Sequence, residues 1–118
     1  MKISGVMIGT EDAQRLGEFY TKVLGEPGFR DGEWWGWENG GGIMIGNHSE
    51  VHGASAQPQR IMLSFEVDDV KATFEAITGF GATVIAEPYQ PDDGMDNWLA
   101  TFADPDGNYF QLMSPWEY

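Results

Sequence analysis

Apolar positions along this chain change their spacing in a fixed order, and that order occurs twice. Residues Ile3 to Gly9 are apolar or small without interruption, which predicts a strand. Thr10-Glu11-Asp12 then offers a capping side chain and early negative charge, the signature of a helix N-terminus. Ala13, Leu16, Phe19, Tyr20, Val23 and Leu24 recur at three- and four-residue steps and form one apolar helical stripe. Gly25 supplies the residue that tolerates a left-handed helix end. Three short strands are expected next, at Phe29–Asp31, Glu33–Glu38 and Ile43–Gly46. The turn Asn39-Gly40-Gly41-Gly42 separates the last two.

The same succession starts again at Arg60–Glu66, an expected strand. Asp68-Asp69 caps a helix that carries Val70, Phe74 and Ile77 on one face, and Gly79 and Gly81 close it. Strands follow at Ala82–Tyr89, Trp98–Ala103 and Asn108–Met113, separated by the loop Gln90–Asn97 and the turn Asp104-Pro105-Asp106-Gly107. Residues 48–59 are small, polar and proline-containing, and read as a linker between a first module at 1–47 and a second at 60–118 of one domain. Each module reads strand–helix–strand–strand–strand, an internal duplication of α+β type.

Composition narrows the chemistry. The 118 residues include 19 acidic and 6 basic side chains, for a net charge of −13, and no cysteine. Disulfides, thiolate metal sites and a cysteine nucleophile are thereby excluded, and a reducing, cytoplasmic location is expected. No basic stretch with an apolar run behind it suggests a signal peptide, and no long apolar run suggests a membrane span. Nucleic acid and anionic lipid are not expected partners, because phosphate contacts need clustered Lys and Arg. A cationic small molecule, by contrast, would be attracted over a Debye length of about 8–10 Å.

Three stretches carry a family resemblance: Glu18-Phe19-Tyr20 through Val23-Leu24-Gly25, Phe65-Glu66-Val67-Asp68-Asp69-Val70, and Phe102-Ala103-Asp104-Pro105-Asp106-Gly107-Asn108. With the duplicated βαβββ order, the chain resembles the vicinal oxygen chelate superfamily of glyoxalase I, extradiol dioxygenases, and fosfomycin and bleomycin resistance proteins. The resemblance implies that the two modules pair into a curved mixed sheet around a cup, with the helices outside. It also implies metal-ligand positions at Gly5, Met44, Met62 and Gln111. A glycine, two thioethers and one amide are not a donor set for a hard divalent ion, so no metal and no cofactor are expected.

Strand alternation extends the implied cup face to neighbouring residues. Met7 joins Gly5, and Met113 joins Gln111, so that Met7, Met44, Met62 and Met113 would line one soft, adaptable concavity. Ser64 and Glu66 share the face of Met62, and Glu66 and Tyr109 are the candidates for a general base.

Aromatic residues suggest the rest of the site. In Trp34-Trp35-Gly36-Trp37, alternation sets Trp35 and Trp37 on one face and Trp34 on the other. Trp98 follows the acidic loop Asp92–Asp96, and Trp116 lies in the C-terminal tail. Trp35, Trp37 and Trp98 beside carboxylates would suit a flat cation. Equally, Trp98 and Trp116 would serve to cover a dimer or half-to-half seam. His48 and His52 have metal-ligand spacing but lie in the linker, the acidic loop lacks EF-hand spacing, and Gly40-Gly41-Gly42 precedes a strand and lacks a lysine.

The leading expectation is a metal-free, homodimeric binding protein of the bleomycin-resistance type that sequesters an aromatic or cationic compound such as an antibiotic. The alternative is a lyase, isomerase or dioxygenase of the same superfamily with a displaced metal, held by Gln111 with Glu66, His48 or His52. A third reading is a module whose tryptophans face a protein partner.

Overall fold

The computed structural model describes residues 1–38, 42–91 and 96–115. Its elements run in the order the periodicity predicts: β1 (Val6–Thr10), α1 (Ala13–Leu24), β2 (Phe29–Asp31), β3 (Trp34–Glu38), β4 (Gly42–Asn47), β5 (Leu63–Glu66), α2 (Val70–Gly79), β6 (Thr83–Tyr89), β7 (Leu99–Ala103) and β8 (Tyr109–Met113). Two βαβββ modules result, each with a four-stranded mixed sheet. The strand orders are β1-β4-β3-β2 and β5-β8-β7-β6. The outer first strand of each sheet is parallel to its neighbour, and the remaining pairs are antiparallel. The chain divides into compact units at Gly53/Ala54, inside the expected linker. The turn residues Asn39, Gly40 and Gly41 fall outside the described residues. No described helix is long and apolar enough to cross a membrane.

In the first unit, Asp12 caps α1 by accepting a hydrogen bond from the Arg15 N–H at 3.1 Å, and Asn47 at the end of β4 accepts one from the Ala13 N–H at 2.8 Å. These side chains satisfy N–H groups that a helix start leaves unpaired. Gly25, at φ 90°, ends the helix. One face of the sheet is buried under α1: Trp35, Trp37, Ile43 and Ile45 meet Leu16 and Tyr20 there, all at 9% exposure or less. Trp35 lies flat against the helix backbone at Gly17, where any Cβ would overlap the indole. Trp37 stacks at 6.3 Å from Trp35 and donates its indole N–H to the Gly25 carbonyl at 2.8 Å.

The second unit repeats the scheme with phenylalanine. Asp69 caps α2 through the Ala72 N–H at 3.1 Å. Phe74 of α2 stacks on Phe102 of β7, which stacks on Phe110 of β8, with centroids 5.2 and 5.6 Å apart. The turn between β7 and β8 is organised by Asp104, buried at 4% exposure, whose carboxylate accepts hydrogen bonds from the backbone N–H of Asp106 and Asn108 and from the Asn108 amide. Gly107, at φ 77°, completes it.

Several strands start later than apolar pattern alone predicts. Arg60 to Met62 precede β5, because Arg60 is turned into a local bend by its N–H to the Gln57 carbonyl. Trp98 precedes β7, because its N–H is taken by the Ser114 hydroxyl at 2.7 Å instead of by a strand partner. The linker is also ordered: the His48 N–H continues the sheet to the Thr10 carbonyl, and the Ser55 N–H reaches the Asp106 carbonyl.

Replacing Gly17 by alanine should destabilise the protein by about 1–3 kcal/mol, since overpacking against Trp35 outweighs the gain in helix propensity of roughly 1 kcal/mol. Urea unfolding measures this. An unchanged or higher midpoint would contradict the contact.

Candidate functional site

Because α1 covers one face of the first sheet, alternation leaves the other face open. That face carries Met7 on β1, Phe29 on β2, Trp34, Gly36 and Glu38 on β3, and Met44 and Gly46 on β4. Met7, Phe29, Trp34 and Met44 are 39–50% exposed there. The strand register sets Phe29, Gly36, Met44 and Met7 in one row across the sheet. Trp34 lies across Gly46, where a Cβ would overlap its ring, so a glycine on β4 provides the bed for an indole from β3.

The open face includes a concavity of about 680 Å³. It is lined by Gly36, the thioethers of Met7 and Met44, Phe29 and Trp37, with the carboxylate residues Glu26 and Glu38 among them. No Lys, Arg or His is among its described lining residues. The chemistry is that of a soft apolar surface with negative charge at its margin, which suits a small cation with an apolar body. Each carboxylate about 4 Å from such a cation contributes roughly 1 kcal/mol in water and more where water is excluded.

The structure thus sets Met7 and Met44 side by side on an open face, but it moves the expected aromatic wall. Trp35 and Trp37 are both buried, and of the two only Trp37 is among the residues that line the concavity. Trp35 already has a cation, with the Arg30 guanidinium 3.8 Å from its ring centroid. Trp98 is engaged in the same way by Lys71 of α2, whose ammonium lies 3.9 Å from the indole centroid. Two tryptophans predicted to await a cationic ligand therefore hold cations of the chain itself. Trp116 and the residues Asp92–Met95 of the acidic loop lie outside the described residues.

Sequence reasoning missed Trp34, Phe29, Gly36, Glu26 and Glu38. A signal was present for the first: alternation opposes Trp34 to Trp35 and Trp37, and Gly17 in the middle of the α1 stripe marks where a large ring would dock.

In the second unit, the open face of the sheet gathers five other expected residues. Ser64 is in register with Gln111, and Glu66 with Met113, while Tyr109 lies on the same face of β8. The Gln111 amide donates to the Ser64 hydroxyl at 3.1 Å, and that hydroxyl donates to the Met113 sulfur at 3.1 Å. Met62, half-buried, stands just before β5.

The metal-ligand positions implied by resemblance do not fit a divalent ion. At Gly5 a Cβ would stand 2.7 Å from the Gly42 carbonyl oxygen, so the backbone itself bars a ligating side chain. Met44 and Met62 offer only thioether sulfur, which hard ions disfavour. Gln111 alone offers an oxygen donor, its amide carbonyl, while its amide nitrogen donates to the Ser64 hydroxyl. Nor do the linker histidines converge: His48 Nδ1 accepts the Glu50 N–H at 3.1 Å, whereas His52 faces Glu11 at 3.8 Å. Among the described residues, no group of three or more His, Cys, Asp or Glu side chains could hold a metal ion.

The sequence profile of the glyoxalase-like domain matches residues 5–113. Among solved structures, a glyoxalase/bleomycin resistance protein/dioxygenase family enzyme from Burkholderia phytofirmans PsJN is 25% identical, with a TM-score of 0.76 over 97% of this chain and 98% of that one. A glyoxalase/bleomycin resistance protein from Albidiferax ferrireducens T118 is 24% identical, with a TM-score of 0.75 over 96% and 98% of the two chains. A glyoxalase I variant from Zea mays is 19% identical, with a TM-score of 0.74 over 98% of this chain and 45% of that one. No curated protein matches the sequence.

Gly46→Ala should lift the Trp34 ring from the sheet at a stability cost within about 1 kcal/mol, since the half-exposed indole can swing toward solvent. The indole N–H resonance of Trp34 reports it. A resonance unmoved by the substitution would contradict the bed.

Proposed function

We propose that this chain, which belongs to the glyoxalase-like family, is a small-molecule binding protein that works without a metal. The observation that carries the reading is the state of the family's ligand positions. Gly5 is barred by the Gly42 carbonyl, Met44 and Met62 are thioethers, and Gln111 alone offers an oxygen, that of its amide. The apolar concavity of the first unit, with Glu26 and Glu38 at its margin, supports a cationic or aromatic ligand. Binding alone, with no bond made or broken, then removes the compound from solution. Sequestration of a toxic molecule such as an antibiotic is the corresponding physiological role, exerted by a cytoplasmic homodimer.

No arrangement among the described residues favours the displaced-metal enzyme, and the test separates the two. Protein purified without chelator should carry far less than one Zn, Ni, Fe or Mn ion per chain. Planar organic cations should raise its melting temperature equally with and without EDTA. A ligand at 100 times its dissociation constant adds about 2.7 kcal/mol of stability, and the gain should shrink as salt rises. Stoichiometric metal, together with a ligand shift abolished by EDTA, would overturn the proposal.

A further inference from the structure

Sulfur occurs in this chain only as thioether, in six methionines, because cysteine is absent. No thiolate therefore intercepts an oxidant first, and accessibility decides which methionines react. Their surroundings differ. Met7 and Met44 are exposed, at 50% and 41%, and both line the concavity of the first unit. Met62 and Met113 are half-buried, and the Met113 sulfur also accepts the Ser64 hydroxyl at 3.1 Å, which engages one of its lone pairs. Met1 is exposed at the start of the chain but is not among the residues that line the concavity. Met95 lies outside the described residues.

Register makes the first two a pair. Met7 and Met44 are direct partners on the parallel strands β1 and β4, which run about 4.8 Å apart, so their side chains share a face. The alternate residues of β4, Ile43 and Ile45, are the buried ones, and neither thioether helps to fill the core. Oxygen can thus be added at both sulfurs without overpacking the interior.

The reaction is a two-electron oxygen transfer. Hydrogen peroxide gives one oxygen to the sulfur: an S–O bond forms as the O–O bond breaks, the thioether loses two electrons, and the peroxide leaves as water. A soft apolar group becomes a sulfoxide, whose strong acceptor oxygen must keep its water or stand unsatisfied beneath an apolar ligand. Glu26 and Glu38 are untouched, so the concavity keeps its charge and loses the thioether part of its apolar lining.

We propose that Met7 and Met44 form a paired oxidation site, at which conversion to sulfoxides by a peroxide releases the ligand of the concavity. A thiol-dependent reductase, which returns the two electrons and removes the oxygen as water, restores binding. The proposal rests on the binding function given above and adds a regulation of the same site.

The test titrates phenethylammonium by calorimetry into the wild type and into a Met7→Leu/Met44→Leu variant. Each is measured untreated, after limited hydrogen peroxide, and after subsequent methionine sulfoxide reductases with dithiothreitol. Tryptic fragments 3–15, 31–60 and 61–71 each carry one methionine, namely Met7, Met44 and Met62, so mass spectrometry reads the three sites separately. Peroxide is expected to add one oxygen to each of the first two fragments while the third stays largely reduced. Wild-type affinity for phenethylammonium should then fall at least tenfold, with the melting temperature within a few degrees of the untreated protein, and return on reduction. The leucine variant should have the same affinity before and after peroxide. Oxidation of Met62 as fast as Met7 and Met44, an affinity unchanged or raised by oxidation, a loss that reduction does not reverse, or an equal loss in the leucine variant would overturn the switch. In all four cases the untreated protein still binds phenethylammonium and the binding function stands. Untreated protein that binds no organic cation would overturn the binding function and its regulation together.

Discussion

The contact between the Trp35 ring and the backbone of Gly17 decides which side of β3 faces outward. A strand has two faces, and a shift by one residue exchanges them. With Trp35 seated against α1, Trp37 must follow it into the core, and Trp34, Gly36 and Glu38 must stand on the opposite face. Register then passes the decision to the neighbours, fixing Phe29, Met44 and Met7 outward as well. The apolar lining of the concavity is therefore a consequence of core packing on the other side of the same sheet.

Charge is distributed to the same effect. The chain has only 6 basic residues against 19 acidic ones. Arg30 and Lys71 are spent on Trp35 and Trp98, where each guanidinium or ammonium lies over an indole within 4 Å. Such contacts are worth about 0.5–2 kcal/mol each. Within the first unit, Arg30 is thereby held on the face opposite the concavity, which Glu26 and Glu38 line without a described basic neighbour. Acidity thus acts locally here, beyond its general effect on solubility.

Much of the fold was legible in the sequence because it is written in local signals. The capping residues Asp12 and Asp69, the apolar helical stripes and the turn around Asp104 each specify their element with a few neighbouring residues. The family likewise follows from element order and those motifs; the resemblance implied that Met44 faces the cup, and alternation from Gly5 set Met7 on the same face. The tryptophans were less legible. Alternation separates Trp34 from Trp35 and Trp37 but does not say which set is buried, and that is settled by Gly17 some twenty residues away. For Trp98 the sequence left a ligand wall and a seam equally open, and the contact with Lys71 was not legible because that residue lies on a different element.

The account's central claim is that the face of the first sheet turned away from α1 is a ligand surface that needs no metal. Amide chemical-shift mapping with phenethylammonium in the presence of excess EDTA tests it directly. The account predicts shifts concentrated at Phe29, Gly36, Glu38 and Met44, with the amides of α1 little affected. Shifts that vanish on adding EDTA, or that concentrate at Ser64, Gln111 and Met113 and leave Gly36 unmoved, would contradict it.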